Sequence, residues 1–391
     1  MQYTVNTPEG TKDRLFDECR ERRQVQSKLT GLFKRRGYSE IITPEVEFYD
    51  LFLQSGNPLP QESMVKLIDR SGKILVMRPD CTAPIARVAA TKLRHVPLPQ
   101  RLYYNQTVFR SGTAHSGASQ EIAQCGVELI GAGGQKADVE VLTMAVDSLT
   151  AAGLTSFHIE IGHAGLFYTL TRELGAPDGE VERMRFYLEQ KNFAKLDELL
   201  CPYQNAPGYQ ALRRLAYLFG GPEVLDEAKS LCGAAALPIL NSLSDLFHQL
   251  ERAGCGAFIR FDLGLAHQLD YYTGVVFRGY AEGAGCEVLS GGRYDRLLES
   301  FGRAAPATGF AIDVDEVAQT LPPVEKTKVT ALIHYEAGDL RQAFRLLEQA
   351  ERGQRELSPC MTLEETLTLA KEKGISQVIY LKEGKEQVIM G

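Results

Sequence analysis

The sequence predicts an α+β fold: an antiparallel sheet with helices, a helical insertion, and a small C-terminal α/β domain. Three observations lead there. Arg101 to Gly131 reads as a β-hairpin, with Leu102, Tyr103, Val108 and Phe109 on the first arm, a small-residue loop from Ser111 to Ser119, and Gln124 to Ile130 as the return strand. From Gly165 to Gly254 helical periodicity dominates and β-branched runs are nearly absent, the texture of a helical insertion with its own small core. After the linker Leu321-Pro-Pro-Val-Glu-Lys, strand and helix patterns alternate to the end, as in a small α/β unit. The expected domains are therefore 1–321, with the insertion at 165–254, and 326–391.

Composition narrows the class. The chain has 391 residues, 44% of them hydrophobic and 24% charged, which is ordinary for a soluble globular protein of two or three domains. A net charge of -7 gives no global basic field for nucleic acid. The eight cysteines form no CxxC pair, which argues against a zinc site or a disulfide framework and suits a reducing cytosol. The N-terminus lacks a charged-then-apolar signal pattern and no apolar run reaches membrane-spanning length, so a soluble, cytoplasmic protein without metal or cofactor is expected.

In chain order, Asn6 to Asp13 is a turn-rich entry. Asp17 to Arg36 is a charged amphipathic helix stopped at Gly37. Ile41 and Ile42 make a short strand ended by Pro44. Lys66 to Asp69 and Ile74 to Met77 form a hairpin around a two-residue turn, Ser71-Gly72. In Arg78-Pro-Asp-Cys-Thr-Ala-Pro, Pro79 holds the chain extended and Pro84 sits in the first turn of a helix running to Thr91. Asp80 and Thr82 stand where strand becomes helix, either as caps or beside donors left free for a ligand. Arg87 reads as a solvated charge.

After the hairpin come a helix from Asp138 to Ala152 and a strand from Ser156 to Ile161. His163, which follows that strand, suits a structural role. Sheet texture returns at Phe258 to Leu263, in Leu265 to Phe277, in Cys286 to Arg296 with a Gly291-Gly292 turn, and in the strand-to-helix segment Thr308 to Glu316. The tail reads as strand Thr330 to His334, helices Leu340 to Glu351 and Thr362 to Lys373, and strands Gln377 to Leu381 and Gln387 to Met390.

Candidate site residues lie on the hairpin. Arg110 ends its first strand, and Gln124, Gly126 and Glu128 share one face of the second by the period-two rule. A cation beside a loop, opposite an amide and a carboxylate, suits a zwitterion. The same residues also suit the wet face of an ordinary antiparallel pair.

Taken together, these segments resemble histidyl-tRNA synthetase over most of Met1 to Leu321. The carrying motifs are LDYYTGVVF (Leu269 to Phe277), SGGRYDRLLESFG (Ser290 to Gly302), TGFAIDVDEV as class II motif 3, the hairpin as motif 2, and the first helix, strand and Pro44 as motif 1. The resemblance implies a class II aminoacyl-tRNA synthetase-like antiparallel sheet and a dimer built on motif 1. It also implies a histidine pocket in which Asp80 (a Glu in the synthetases), Thr82 and Gln124 bind the α-ammonium end. Glu128 and Tyr272 would face the imidazole with Tyr271 beside them, and Arg110 would hold the carboxylate or phosphate side.

The departures lie on the ATP side. Where the synthetases carry FRxE and then a basic run, this chain keeps Arg110 but has Gly112, Ala118 and Gln120. The signature arginine before LDYY is His267, and the motif 3 arginine is Glu316. Adenylate formation needs a triphosphate held by arginine forks, and loss of one such donor costs about 10²–10³ in rate. Aminoacylation is therefore expected to be absent; the alternative is a divergent active histidyl-tRNA synthetase.

Synthetase-like chains with these losses resemble the regulatory subunits of the short-form ATP phosphoribosyltransferase. That resemblance implies a non-catalytic chain that assembles with a catalytic short subunit into a hetero-octamer. It would activate the first step of histidine biosynthesis and take part in feedback by L-histidine. The reduced tail resembles a shortened anticodon-binding domain, and no tRNA or membrane partner is implied.

Overall fold

A computed structural model describes residues 5–54, 61–111, 119–265, 272–323, 328–349 and 354–390. The chain forms two compact units, Met1–Pro322 and Pro323–Gly391.

The first unit opens with α1 (Phe16–Arg35), whose Val25, Leu29, Leu32 and Phe33 recur at helical spacing and are buried. Gly37, at φ +82°, ends it, and Tyr38 N–H bonds back to Phe33 O. Next come β1 (Ser39–Glu40), β2 (Val46–Phe48), α2 (Tyr49–Gln54), β3 (Lys66–Ile68), β4 (Ile74–Met77) and α3 (Thr82–Ala90). The hairpin is β5 (Gln100–Phe109) and β6 (Glu121–Ile130), followed by α4 (Gln135–Ala152) and β7 (Phe157–His163). The insertion holds α5 (Ala164–Leu174), α6 (Asp178–Glu189), α7 (Phe193–Leu200), α8 (Tyr209–Leu215), β8 (Phe219–Gly220), α9 (Glu223–Leu231) and α10 (Leu237–Arg252). The unit closes with β9 (Ile259–Asp262), β10 (Val275–Ala281), β11 (Leu289–Arg293), β12 (Ala307–Asp313) and α11 (Val314–Thr320).

Nine strands make one sheet in the order β1-β5-β6-β12-β11-β10-β7-β9-β8, with β5 to β7 antiparallel throughout. Alternation sends Tyr103, Cys125, Val127, Leu129, Phe310 and Ile312 to one face, packed with α1 and α4. Leu102, Tyr104, Ile130 and Ala307 go to the other, under Ile85, Ala86 and Ala89 of α3 and Leu297 and Leu298.

Several expectations are corrected. The insertion has no separate core: its Met184, Leu196, Leu212 and Leu240 continue the hydrophobic cluster of α4 and β6, and β8 joins the main sheet at its edge. The first strand is Ser39–Glu40, although Ile41 N–H still bonds Tyr103 O. The β3–β4 connection is a three-residue loop, because Asp69 N–H bonds Lys73 O while its carboxylate accepts from the Ser71 and Lys73 amides. Gly291 and Gly292 lie inside β11, not in a turn. A Cβ on Gly291 would sit 2.5 Å from Gly309 O, so the neighbouring strand requires the glycine. Arg87 is not solvated: its Nη2 lies 2.5 Å from Glu47 Oε1, tying α3 to β2. His163 is structural as expected, since Nδ1 accepts from Gly165 N–H at the start of α5 and burial pushes the imidazole down to about 4.

The second unit is a four-stranded sheet, β14-β13-β15-β16, from β13 (Val329–Tyr335), β14 (Gln354–Leu357), β15 (Gln377–Lys382) and β16 (Lys385–Met390). Strand β13 is parallel to β14 and β15, with α12 (Leu340–Glu348) and α13 (Leu363–Glu372) as connections. Ala331 and Ile333 pack with α12, whereas Leu332 packs with Ala370 of α13, so the helices cover opposite faces. Thr362 and Glu365 form a capping box at α13. Strand β14 is an addition to the expected elements.

Candidate functional site

Register fixes the floor of the site. Across β5, β6, β12 and β11, Gln106 pairs Gln124 and Asp313, Tyr104 pairs Gly126, Ala311 and Ser290, and Leu102 pairs Glu128, Gly309 and Gly292. Paired residues share a face, so Gln124, Gly126 and Glu128 project beside small residues on the neighbouring strands. The glycines are occupied space. A Cβ on Gly126 would sit 2.5 Å from the Tyr104 hydroxyl, one on Gly292 2.7 Å from Tyr272 Cε1, and one on Gly309 2.0 Å from Glu128 Oε2. Tyr104, Tyr272 and Glu128 thus lie flat over the sheet because the residues beneath them lack side chains.

Glu128 is the centre. It is 1% exposed. Thr82 Oγ1 donates to its Oε1 at 2.8 Å, and the Tyr294 hydroxyl donates to Oε2 in a short contact. Burial pushes its carboxyl up to about 8, against the lowering effect of these two donors, and nearby Asp80 adds to the rise. At neutral pH the group is mostly protonated until a donor or cation arrives to balance it.

Asp80 and Thr82 enter from the turn between β4 and α3. Asp80 is buried and its Oδ1 accepts the Ala83 N–H at 3.0 Å, so it caps the helix while facing Glu128. Gln124 is buried on β6, and its amide makes no hydrogen bond among the described residues. Arg110 donates Nε–H to Pro79 O at 2.9 Å, which holds the end of β5 against the segment before α3. The structure therefore gathers Asp80, Thr82, Glu128 and Tyr272, with Gln124 and Arg110 toward the loop end. Tyr271, His267, Gly112 and Ala118 lie outside the described residues.

Asp313, paired with Gln124, brings acidic groups to the loop end, away from Glu128. Asp313 caps α11 by accepting the Asp315 and Glu316 amides at 3.0 and 3.1 Å, and burial pushes its carboxyl up to about 6. Glu316 occupies the first turn of α11. Burial, and then Glu316 beside it, raise the Cys286 thiol to about 11. Asp315 is held by Arg14 and Arg22, at 2.8 and 3.0 Å. Gln120 accepts Arg110 N–H on its carbonyl and packs its side chain against Gly10, pinning the entry segment.

Two site residues escaped the sequence reading. Tyr294 supports Glu128, and strand alternation from Gly292 would have placed it on the same face. Arg293 faces the other way, into Asp138 of α4, with Nη2 at 2.7 Å from Oδ1 and both groups buried. This pair anchors the end of β11, which Tyr294 directly follows. Among the described residues no cluster suits a metal ion, and no helix is long and apolar enough to cross a membrane. All eight cysteines are free thiols.

The chain is similar to known proteins. The histidyl-tRNA synthetase family model matches residues 10–317. The ATP phosphoribosyltransferase regulatory subunit of Clostridium kluyveri is 40% identical over 347 residues, covering 86% of this chain and 88% of its own. A crystal structure from Bacillus halodurans, described as an ATP phosphoribosyltransferase regulatory subunit/histidyl-tRNA synthetase, superposes with a TM-score of 0.86 at 30% identity over 98% of this chain and 100% of that one. The histidyl-tRNA synthetase of Nostoc sp. PCC 7120 shares the fold, with a TM-score of 0.77 at 18% identity over 100% of this chain and 97% of its own. With the family model spanning the whole first unit's sheet and the relatives matching along most of both chains, this chain belongs to the ATP phosphoribosyltransferase regulatory subunit family, on the histidyl-tRNA synthetase fold.

Proposed function

We propose that the chain is a non-catalytic partner that activates a short-form catalytic ATP phosphoribosyltransferase subunit in the first step of histidine biosynthesis, and that its cleft senses L-histidine. The observation that carries this reading is the polarity of the cleft. One end keeps a buried carboxylate with hydroxyl supports, suited to an imidazole N–H or an ammonium. The other carries Asp313 and Glu316, which repel a triphosphate.

In this reading Glu128 and Tyr272 face the imidazole, with Tyr271 beside them. Asp80, Thr82 and Gln124 meet the ammonium, and Arg110 meets the carboxylate. A buried carboxylate left unpaired by the wrong ligand gives the selectivity. Dimerisation within a hetero-octamer fits the apolar side chains that β2, β3 and β4 leave in water: Val46, Phe48, Leu67, Ile68 and Ile74. The unit from Pro323 onward serves as the small α/β domain of a chain that meets no tRNA, in the cytoplasm.

The test is reconstitution. Adding this chain to a short-form catalytic subunit should raise the rate of joining ATP to phosphoribosyl pyrophosphate. An unchanged rate, with both proteins folded, would overturn the reading.

A further inference from the structure

A second cavity, of about 420 Å³, opens beside β5 and shares none of the residues around Glu128. Its origin is the proline read from the sequence. β1 pairs β5 only as far as Tyr103, and Ile42-Thr43-Pro44 then turns away, so among the described residues the outer edge of β5 beyond that point has no strand beside it. Arg78 fills part of the gap. Its Nε donates to Thr107 O at 2.7 Å, and its Nη1 to Thr43 O at 2.7 Å and Pro44 O at 3.1 Å.

Arg78 is 2% exposed, and every acceptor it touches among the described residues is a neutral carbonyl. A buried guanidinium with no carboxylate partner is costly, and here its Nη2 makes no hydrogen bond among the described residues. Arg14, Arg22 and Arg23 line the same cavity, against one lining carboxylate, Glu45. Asp315 offsets Arg14 and Arg22 only in part. Arg14 Nη2 and Arg22 Nη2 both donate to Asp315 Oδ2, at 2.8 and 3.0 Å, so one carboxylate serves two guanidinium groups, and Arg22 Nε and Asp315 Oδ1 are buried without a hydrogen bond among the described residues. Gln26 Oε1 is also buried there without a partner. Four guanidinium groups converge on one cavity in a chain of net charge -7.

We propose that this cavity is a binding site for a phosphate-bearing small molecule, separate from the amino-acid cleft. Guanidinium forks match phosphate oxygens in pairs, and an arriving anion would balance the charge that Arg78 buries. The cavity is within the size range of sites that enclose small ligands. The inference stands independently of the histidine reading, because no residue assigned there to histidine lines this cavity.

The test is calorimetric titration of the full chain with inorganic pyrophosphate and, separately, ribose 5-phosphate. Both should bind, and binding should weaken with added salt. Equal affinities identify the phosphate group as the feature recognised, and tighter ribose 5-phosphate adds a sugar contact; either supports the site. Arg22→Met with Arg23→Met should weaken binding about tenfold or more, since each charge-assisted bond is worth that much. Arg78→Met should abolish it; if that variant does not fold, the Arg22/Arg23 pair alone decides. The proposal is overturned if neither probe binds at millimolar concentration, or if the double variant binds as well as the parent. Histidine titration of the same variants separates the two sites, because loss here should leave histidine binding unchanged.

Discussion

Replacing Glu128 with glutamine should make this protein more stable in alkali and less able to hold its ligand. In the folded chain the carboxyl titrates at about 8, against 4.5 for the ordinary group. Between those values the unfolded chain has released its proton and the folded chain has not. Folding stability therefore falls as pH rises through this window, by about 1.4 kcal/mol per pH unit. From pH 5 to pH 8 the accumulated loss is about 3 kcal/mol. Glutamine does not titrate, and its amide can still accept from one of the Thr82 and Tyr294 hydroxyls while donating to the other. Urea unfolding of both proteins at pH 5, 6.5 and 8 measures the difference. Glu128→Gln should gain on the parent steadily, by about 3 kcal/mol over that range. A gap that stays constant, or the parent gaining on the variant as pH rises, would refute the claim that burial keeps this carboxyl protonated.

Other outcomes follow from the same geometry. Tyr294→Phe removes the donor to Glu128 Oε2; it should cost about 1–3 kcal/mol in unfolding at pH 8 and weaken histidine binding measured by calorimetry. Arg293→Met leaves Asp138 buried and unpaired, so unfolding should show a loss of about 3–5 kcal/mol, much of it recovered when Asp138→Leu is added. Gly309→Ala puts a Cβ 2.0 Å from Glu128 Oε2 and 2.4 Å from Val127 O; a loss of about 1–3 kcal/mol in thermal unfolding, with histidine binding abolished, is expected.

Much of the sheet was legible because its residues obey one period. Hydrophobic alternation along β5 and β6 was enough to place Gln124, Gly126 and Glu128 together. What the sequence hid depends on partners far away in the chain. Arg87 reads as solvated until Glu47, 40 residues earlier, meets it across α3 and β2. Gly291 and Gly292 look like a turn, because a glycine pair reads the same whether the chain bends or a neighbour presses close. Asp80 takes the capping role that one of its two readings expects, accepting the Ala83 N–H, and its carboxylate also lies near Glu128. The insertion's core could not be assigned from helical periodicity, which marks a buried face without saying against what. Strand β14 (QREL) carries no apolar alternation, being an edge paired on one side.

In the proposed reading the cleft holds an amino acid but cannot activate it. Histidine-dependent exchange of pyrophosphate into ATP measures this directly, since exchange requires an adenylate. The purified protein should show none above the background without enzyme. Clear histidine-dependent turnover would mean that Glu316 and Asp313 do not keep a triphosphate out, and that the chain is an active synthetase.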